Sequence, residues 1–268
     1  MHEAPVGWQC TSCLREGSQV SPTVRWRPRT PLGMGRLGST RMTPAVIGLI
    51  AVNVVIYAWE SRHLDSTIRR FAMWPDGVHF YGQWYRLITG AFLHASVTHI
   101  LFNMVTLAIV GPPVEAEVGR VRFVAIYLLS AVGGSVGSYL LSRPDVAGVG
   151  ASGAIFGVMG AYYVLARLRR WQARQIVALI AINLLIGFTN AGIDWRAHLG
   201  GMIVGAVSCF GLMAVPGARR RGATPAWSPA AGASPSELGQ VVQGLAVVVA
   251  VAVAMGLLLQ LPPGHVNL

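Results

Sequence analysis

Seven stretches of this 268-residue chain are long and apolar enough to be read as membrane spans, and that constrains its fold more than any other feature. A helix crossing lipid needs roughly 20 mostly apolar residues, because hydrocarbon offers no partner to an exposed backbone N–H or C=O. The stretches lie at 42–59, 87–110, 121–141, 151–168, 172–191, 197–215 and 241–261. The last carries no ionisable side chain, whereas the middle ones contain His, Asn, Ser and Gly. Only 12% of the residues are charged, against about a quarter in soluble domains. A disordered tail protein, a coiled coil and a disulfide scaffold are thereby excluded. The fold class that remains is an all-α polytopic membrane protein.

The formal charge of +11 comes from arginine alone, since the chain has no lysine. The arginines sit in clusters between apolar runs, so they carry topology information and do not point to a nucleic-acid partner. Clusters at 25–41, 120–122, 167–174 and 219–221 fall on one side, and Arg62, Arg69, Arg70, Arg143 and Arg196 on the other. The positive-inside rule places the N-terminus in the cytoplasm and the short C-terminal tail outside a cell membrane crossed many times. The expected organisation is a cytoplasmic segment at 1–41, a six-helix core at 42–216, a Pro/Ala/Gly/Ser-rich linker at 217–239, and a seventh helix with its tail at 240–268. The first run lacks a signal-peptide layout and reads as a retained helix. The outside loop at 61–84 holds Trp74, Phe80, Tyr81 and Trp84, and is a candidate for lying in the membrane interface.

Polar side chains inside spans are costly and mark function by default. In HASVTHILFN, His99 and Asn103 are four apart and share a helical face. In GASGAIFG, Ser152 opens a helix between glycines, and in DWRAHLGG, His198 lies about one turn inside. Singly, each has an ordinary explanation: a serine bonding its own backbone carbonyl, or a histidine bonding a neighbouring helix. His94 and His99, five apart with no cysteine or carboxylate nearby, make a poor metal pair. Gly150, Gly153, Gly157 and Gly160 thin one helix, and Gly200, Gly201 and Gly205 another, so the two are expected to pack closely. That packing would bring Ser152 to His198 as nucleophile and general base, with His99, Asn103 and the Ser152 amide as oxyanion donors. No acidic residue sits deep in a span to orient the histidine. Asp194 is read as the N-cap of the sixth helix, leaving a Ser–His dyad.

These residues resemble those of the rhomboid family of intramembrane serine proteases. The matching pieces are QWYR (83–86), HASVTHILFNM (94–104), GASG (150–153) and AHLGG (197–201), in family order within 78–216. The resemblance implies a six-helix bundle with one added C-terminal helix (six plus one). It implies Ser152 and His198 as the catalytic pair, and an oxyanion site from His99 and Asn103. Structural support is implied for His94, Arg86, Gly150, Gly153 and Gly201. Two positions depart from the family pattern: Phe156 stands where tyrosine is frequent, and Tyr85 where tryptophan is common. A phenyl ring at 156 can still stack on the histidine.

The opening VGWQCTSCLREG resembles half of the small zinc module that begins some bacterial members, particularly actinobacterial ones. Cys10 and Cys13 have C-x2-C spacing, but structural zinc takes four ligands and only His2 lies nearby. The expectation is no cofactor, with zinc only if upstream residues supply the missing ligands. The implied function is endopeptidase cleavage of proteins with transmembrane helices near the outer leaflet. The alternative is a catalytically inactive relative that binds membrane partners. The fifth span, with Phe188 near its outer end, is the expected gate.

Overall fold

The computed structural model describes residues 2–4, 7–9, 42–190, 192–214 and 237–264, and the chain divides into two compact units, Met1–Gly35 and Arg36–Leu268. In the first unit, strands β1 (His2–Ala4) and β2 (Gly7–Gln9) pair antiparallel, with His2 opposite Gln9. Cys10, Cys13 and all but the end of the expected linker lie outside the described residues.

The second unit consists, in its described residues, of helices joined by loops. It opens with α1 (Pro44–Glu60), where proline takes a first-turn position that needs no N–H partner. The next orphan amides are capped from far along the chain: Ala45 N and Val46 N donate to Glu115 Oε1 and Oε2 at 3.1 and 3.0 Å. The chain then bends by 120° into α2 (Leu64–Phe71), followed by the short α3 (Pro75–His79) and α4 (Arg86–Thr89) and a 3-10 turn at Gly90–Phe92. Arg86 ties this outer loop together. Its guanidinium donates to Gln83 Oε1 at 2.5 Å, to the Ala72 carbonyl at 2.7 Å and to the Arg69 carbonyl at 2.9 Å.

The second span differs from the expected 87–110. Residues 86–96 belong to the outer loop, which is therefore longer than the expected 61–84, and α5 runs Val97–Val118. Two local bonds explain the shift. Thr89 Oγ1 donates to the Phe71 carbonyl at 2.7 Å, holding 86–92 to the loop. Ser96, in extended conformation, accepts from His99 N at 3.2 Å and starts a new helix. At its other end α5 continues through the buried Pro112 and Pro113, which transmembrane packing tolerates, and stops at Gly119.

There follow α6 (Arg120–Leu141), α7 (Ser152–Leu168), α8 (Arg174–Thr189), α9 (Trp195–Ala214) and α10 (Glu237–Leu258), the last beginning just ahead of the expected 240. By length and composition α5, α6 and α9 are individually able to cross a membrane, as is the bent α1–α2 pair; α7, α8 and 246–258 of α10 are shorter apolar helices.

Lipid removes the usual hydrophobic drive between helices, so association relies on close van der Waals packing. The expected α7–α9 contact is present and includes α6 as well. A side chain at Gly201 would meet the Gly153 carbonyl, and one at Gly205 the Gly157 carbonyl. From α6, a Cβ at Gly137 would stand 2.6 Å from the Arg196 carbonyl. Buried Phe123, Tyr127, Ile155, Met159 and Leu165 belong to the main hydrophobic core.

Candidate active site

Helices α5, α7 and α9 each bring a polar side chain in or near the first turn: His99, Ser152 and His198. Their orphan backbone amides make that end of each helix partly positive. The turn before Ser152 depends on Gly150, whose φ of +131° belongs to glycine. Its N–H donates to the Gly90 carbonyl at 2.9 Å, and a Cβ there would stand 2.7 Å from His99 Nε2. The turn is further fixed by a two-way bridge between Met73 and Gly148, 3.0 and 2.8 Å.

Ser152, His198, His99 and Asn103 all line one cavity of about 740 Å³, together with Phe156 and with Asn183 of α8. The ring of Phe156, one turn after Ser152, stacks on the His198 imidazole at 4.1 Å between centroids and 10° between planes. This ring takes the stacking position expected of it, without a phenolic hydroxyl. Asn103 Nδ2 is a buried donor with no hydrogen-bond partner among the described residues, and the same holds for His198 Nδ1. No hydrogen bond joins Ser152 Oγ to His198 among the described residues, and such bonds tighten in enzymes when substrate binds.

Other residues singled out from the sequence stand around the cavity. Gly150 and Gly153 line it, Gly201 backs it from α9 against the Gly153 carbonyl, and Arg86 braces the outer loop. His94 is fully buried behind His99, ring edge against ring face at 5.2 Å. Asp194 caps α9, its Oδ1 accepting from Arg196 N and Ala197 N at 3.1 Å each. Cys209 is buried and free.

Two acidic residues that the sequence reading left unremarked are buried at or near helix ends. Glu60 and Glu115 are buried, at 0% and 3% exposure, and neither lines the cavity. Each lies at the end of a helix, where a charge in the sequence resembles an ordinary loop residue. The one available signal was that both adjoin apolar runs containing no basic partner at helical spacing.

Residues 81–215 match the family model of the rhomboid domain. Bacillus subtilis YdcA is 34% identical over 181 residues, covering 63% of this chain and 89% of the relative. The rhomboid protease AarA of Providencia stuartii is 29% identical, covering 67% of this chain and 75% of the relative. The rhomboid protease GluP of Bacillus subtilis is 41% identical over 138 residues, 49% of this chain but only 27% of that longer protein.

Proposed function

This chain belongs to the rhomboid family of membrane proteins, and from that premise we propose that it is a serine-type intramembrane endopeptidase acting on transmembrane proteins near the outer leaflet. The observation that carries the reading is the shared cavity: Ser152 and His198 open into it from two helices locked by glycine contacts, beside the unpartnered amide of Asn103.

In this mechanism His198 accepts the Ser152 hydroxyl proton as Oγ attacks the scissile carbonyl carbon. The carbonyl oxygen becomes an oxyanion, received by Asn103 Nδ2, the His99 imidazole and the Ser152 amide at the α7 terminus. His198 then returns the proton to the departing amine as the C–N bond breaks, leaving an acyl-serine. A water molecule, deprotonated by His198, attacks this ester, and collapse releases the acid and restores the serine. Phe156 keeps the imidazole plane fixed through both proton transfers.

Several features support access from the membrane. The 17 residues of α7 rise about 25 Å, less than a hydrocarbon core of about 30 Å, which suits a nucleophile set below the surface. The cavity is flanked by Phe102 on α5 and by Leu179 and Ile186 on α8. A substrate helix would unwind locally to enter between them, with α8 as the moving element. The arginine distribution supports a cytoplasmic N-terminus and an external C-terminal tail.

The test compares wild type, Ser152→Ala and His198→Ala in liposomes, reading fluorophosphonate labelling and cleavage of a single-span reporter. Both signals are expected in wild type and in neither variant. Cleavage surviving Ser152→Ala would refute the mechanism, and a wild type silent in both assays would favour a partner-binding relative.

A further inference from the structure

A carboxylate is costly to bury at a membrane helix end unless it is bonded, and Glu60 is fully buried at the last position of α1. Its Oε1 accepts from the backbone N–H of His94 at 2.7 Å, across 34 residues of chain. Its Oε2, and both ring nitrogens of His94, have no hydrogen-bond partner among the described residues. The carboxylate thus makes a single anchoring bond, and the group it anchors is the residue that begins the approach to α5.

From that anchor, packed contacts lead to the site. Tyr57, one turn earlier on α1, sets its ring edge-on to His94 at 6.4 Å. The His94 ring in turn stands 5.2 Å from that of His99, at 70° between planes. His99 packs on Gly150, where no Cβ would fit, two residues before Ser152. Along the chain, Ser96 caps α5 through His99 N, so the anchored segment also sets where the helix bearing His99 and Asn103 begins. Asn53, two turns before Glu60 on α1, is fully buried as well, as is Val46, so this face of α1 is turned inward along its length.

We propose that Glu60 is a positioning residue of the peptidase site: by holding His94 through its backbone amide, it fixes the His99 ring and the start of α5 in the geometry that receives the oxyanion. This role rests on the function proposed above. It gives α1, which contributes nothing to the cavity wall, a defined part in the reaction. The acceptor atom matters and the charge does not, so an amide at position 60 serves equally well.

The full chain in liposomes, cleaving a single-span reporter, provides the test. Misplacing a stabilising group by about 1 Å costs on the order of a hundredfold in rate. Glu60→Ala is therefore expected to lower kcat by about ten- to a hundredfold with KM within about twofold, while Glu60→Gln stays within about threefold of wild type. In a His99→Ala background, the same Glu60→Ala change is expected to lower kcat by a clearly smaller factor than in wild type, because one of the two donors it positions is already gone. A full additional loss there, or an unchanged kcat in Glu60→Ala alone, would overturn the proposal. If Glu60→Ala does not fold, Glu60→Met fills the volume without the acceptor and is read in the same way. The peptidase reading fails separately, through cleavage that persists in Ser152→Ala or a silent wild type.

Discussion

Two neighbouring helices of nearly equal length, α7 and α8, are held in opposite ways. Helix α7 is buried along most of its length, clamped between α6 and α9 by contacts that leave no room for a Cβ. Helix α8 buries only Ile176 and Gly187, and presents Ile182, Leu185 and Phe188 outward at 56%, 63% and 59% exposure. Both line the same cavity. The difference suits the proposed reading, in which fixed chemistry is combined with movable access. Ser152 and His198 ride on elements whose separation is set by backbone-to-backbone contact, and the side wall is an element that buries little.

The contrast can be broken first at the rigid helices. Ser152→Ala and His198→Ala should each reduce reporter cleavage by at least about a thousandfold, because a nucleophile and its base act as a unit. Their thermal unfolding in detergent should match wild type, which separates lost chemistry from lost fold. Next come the glycines. Gly201→Ala places a methyl against the Gly153 carbonyl, and overpacking of this kind typically costs about 1–3 kcal/mol. Gly201→Val should yield no folded protein by size-exclusion chromatography, and wild-type yield from Gly201→Val would show that α7 and α9 are not rigidly joined.

Helix α8 should respond differently. Phe188→Ala removes a ring contact to Trp195 at 4.7 Å but little buried area, so its unfolding midpoint should shift by no more than about 0.5 kcal/mol in stability. If α8 is the gate, the same change should raise reporter turnover about two- to fivefold, equivalent to roughly 0.5–1 kcal/mol of barrier. A stability loss as large as that of Gly201→Ala would erase the distinction between the helices. The smallest effect is expected from a conservative change at the stacked ring. Phe156→Tyr keeps the plane against His198 and should leave kcat within about twofold, whereas Phe156→Ala frees the imidazole and should lower it about tenfold.

Much of this was legible from residues alone. Asp194 as a cap follows from local chemistry, the pairing of α7 with α9 from the small residues each carries, and the stacking of Phe156 from the family resemblance. The start of α5 was not, because the run 87–110 is apolar enough on average to read as one span, and only the Ser96 cap and the Thr89–Phe71 bond divide it. Nor was the part taken by α6, whose glycines meet residues some 60 positions later in the chain. Glu115 as the cap of α1 and Glu60 as the anchor of His94 were invisible for the same reason: their partners are remote in sequence.

By itself the sequence determined that the chain is a helical membrane protein, and which Ser, His and Asn residues inside it call for an explanation when taken together. Transfer of side chains and backbone into lipid is a property of each short segment, so it can be read segment by segment. Only the tertiary structure decided how the remaining helix ends join the α7–α9 pair. It placed His99, Ser152 and His198 around one cavity, left α8 nearly free beside them, and turned two glutamates inward to cap and anchor α1 and its neighbour. Those outcomes depend on contacts between distant segments, where a missing methyl group or one hydrogen bond selects among packings that are equally apolar.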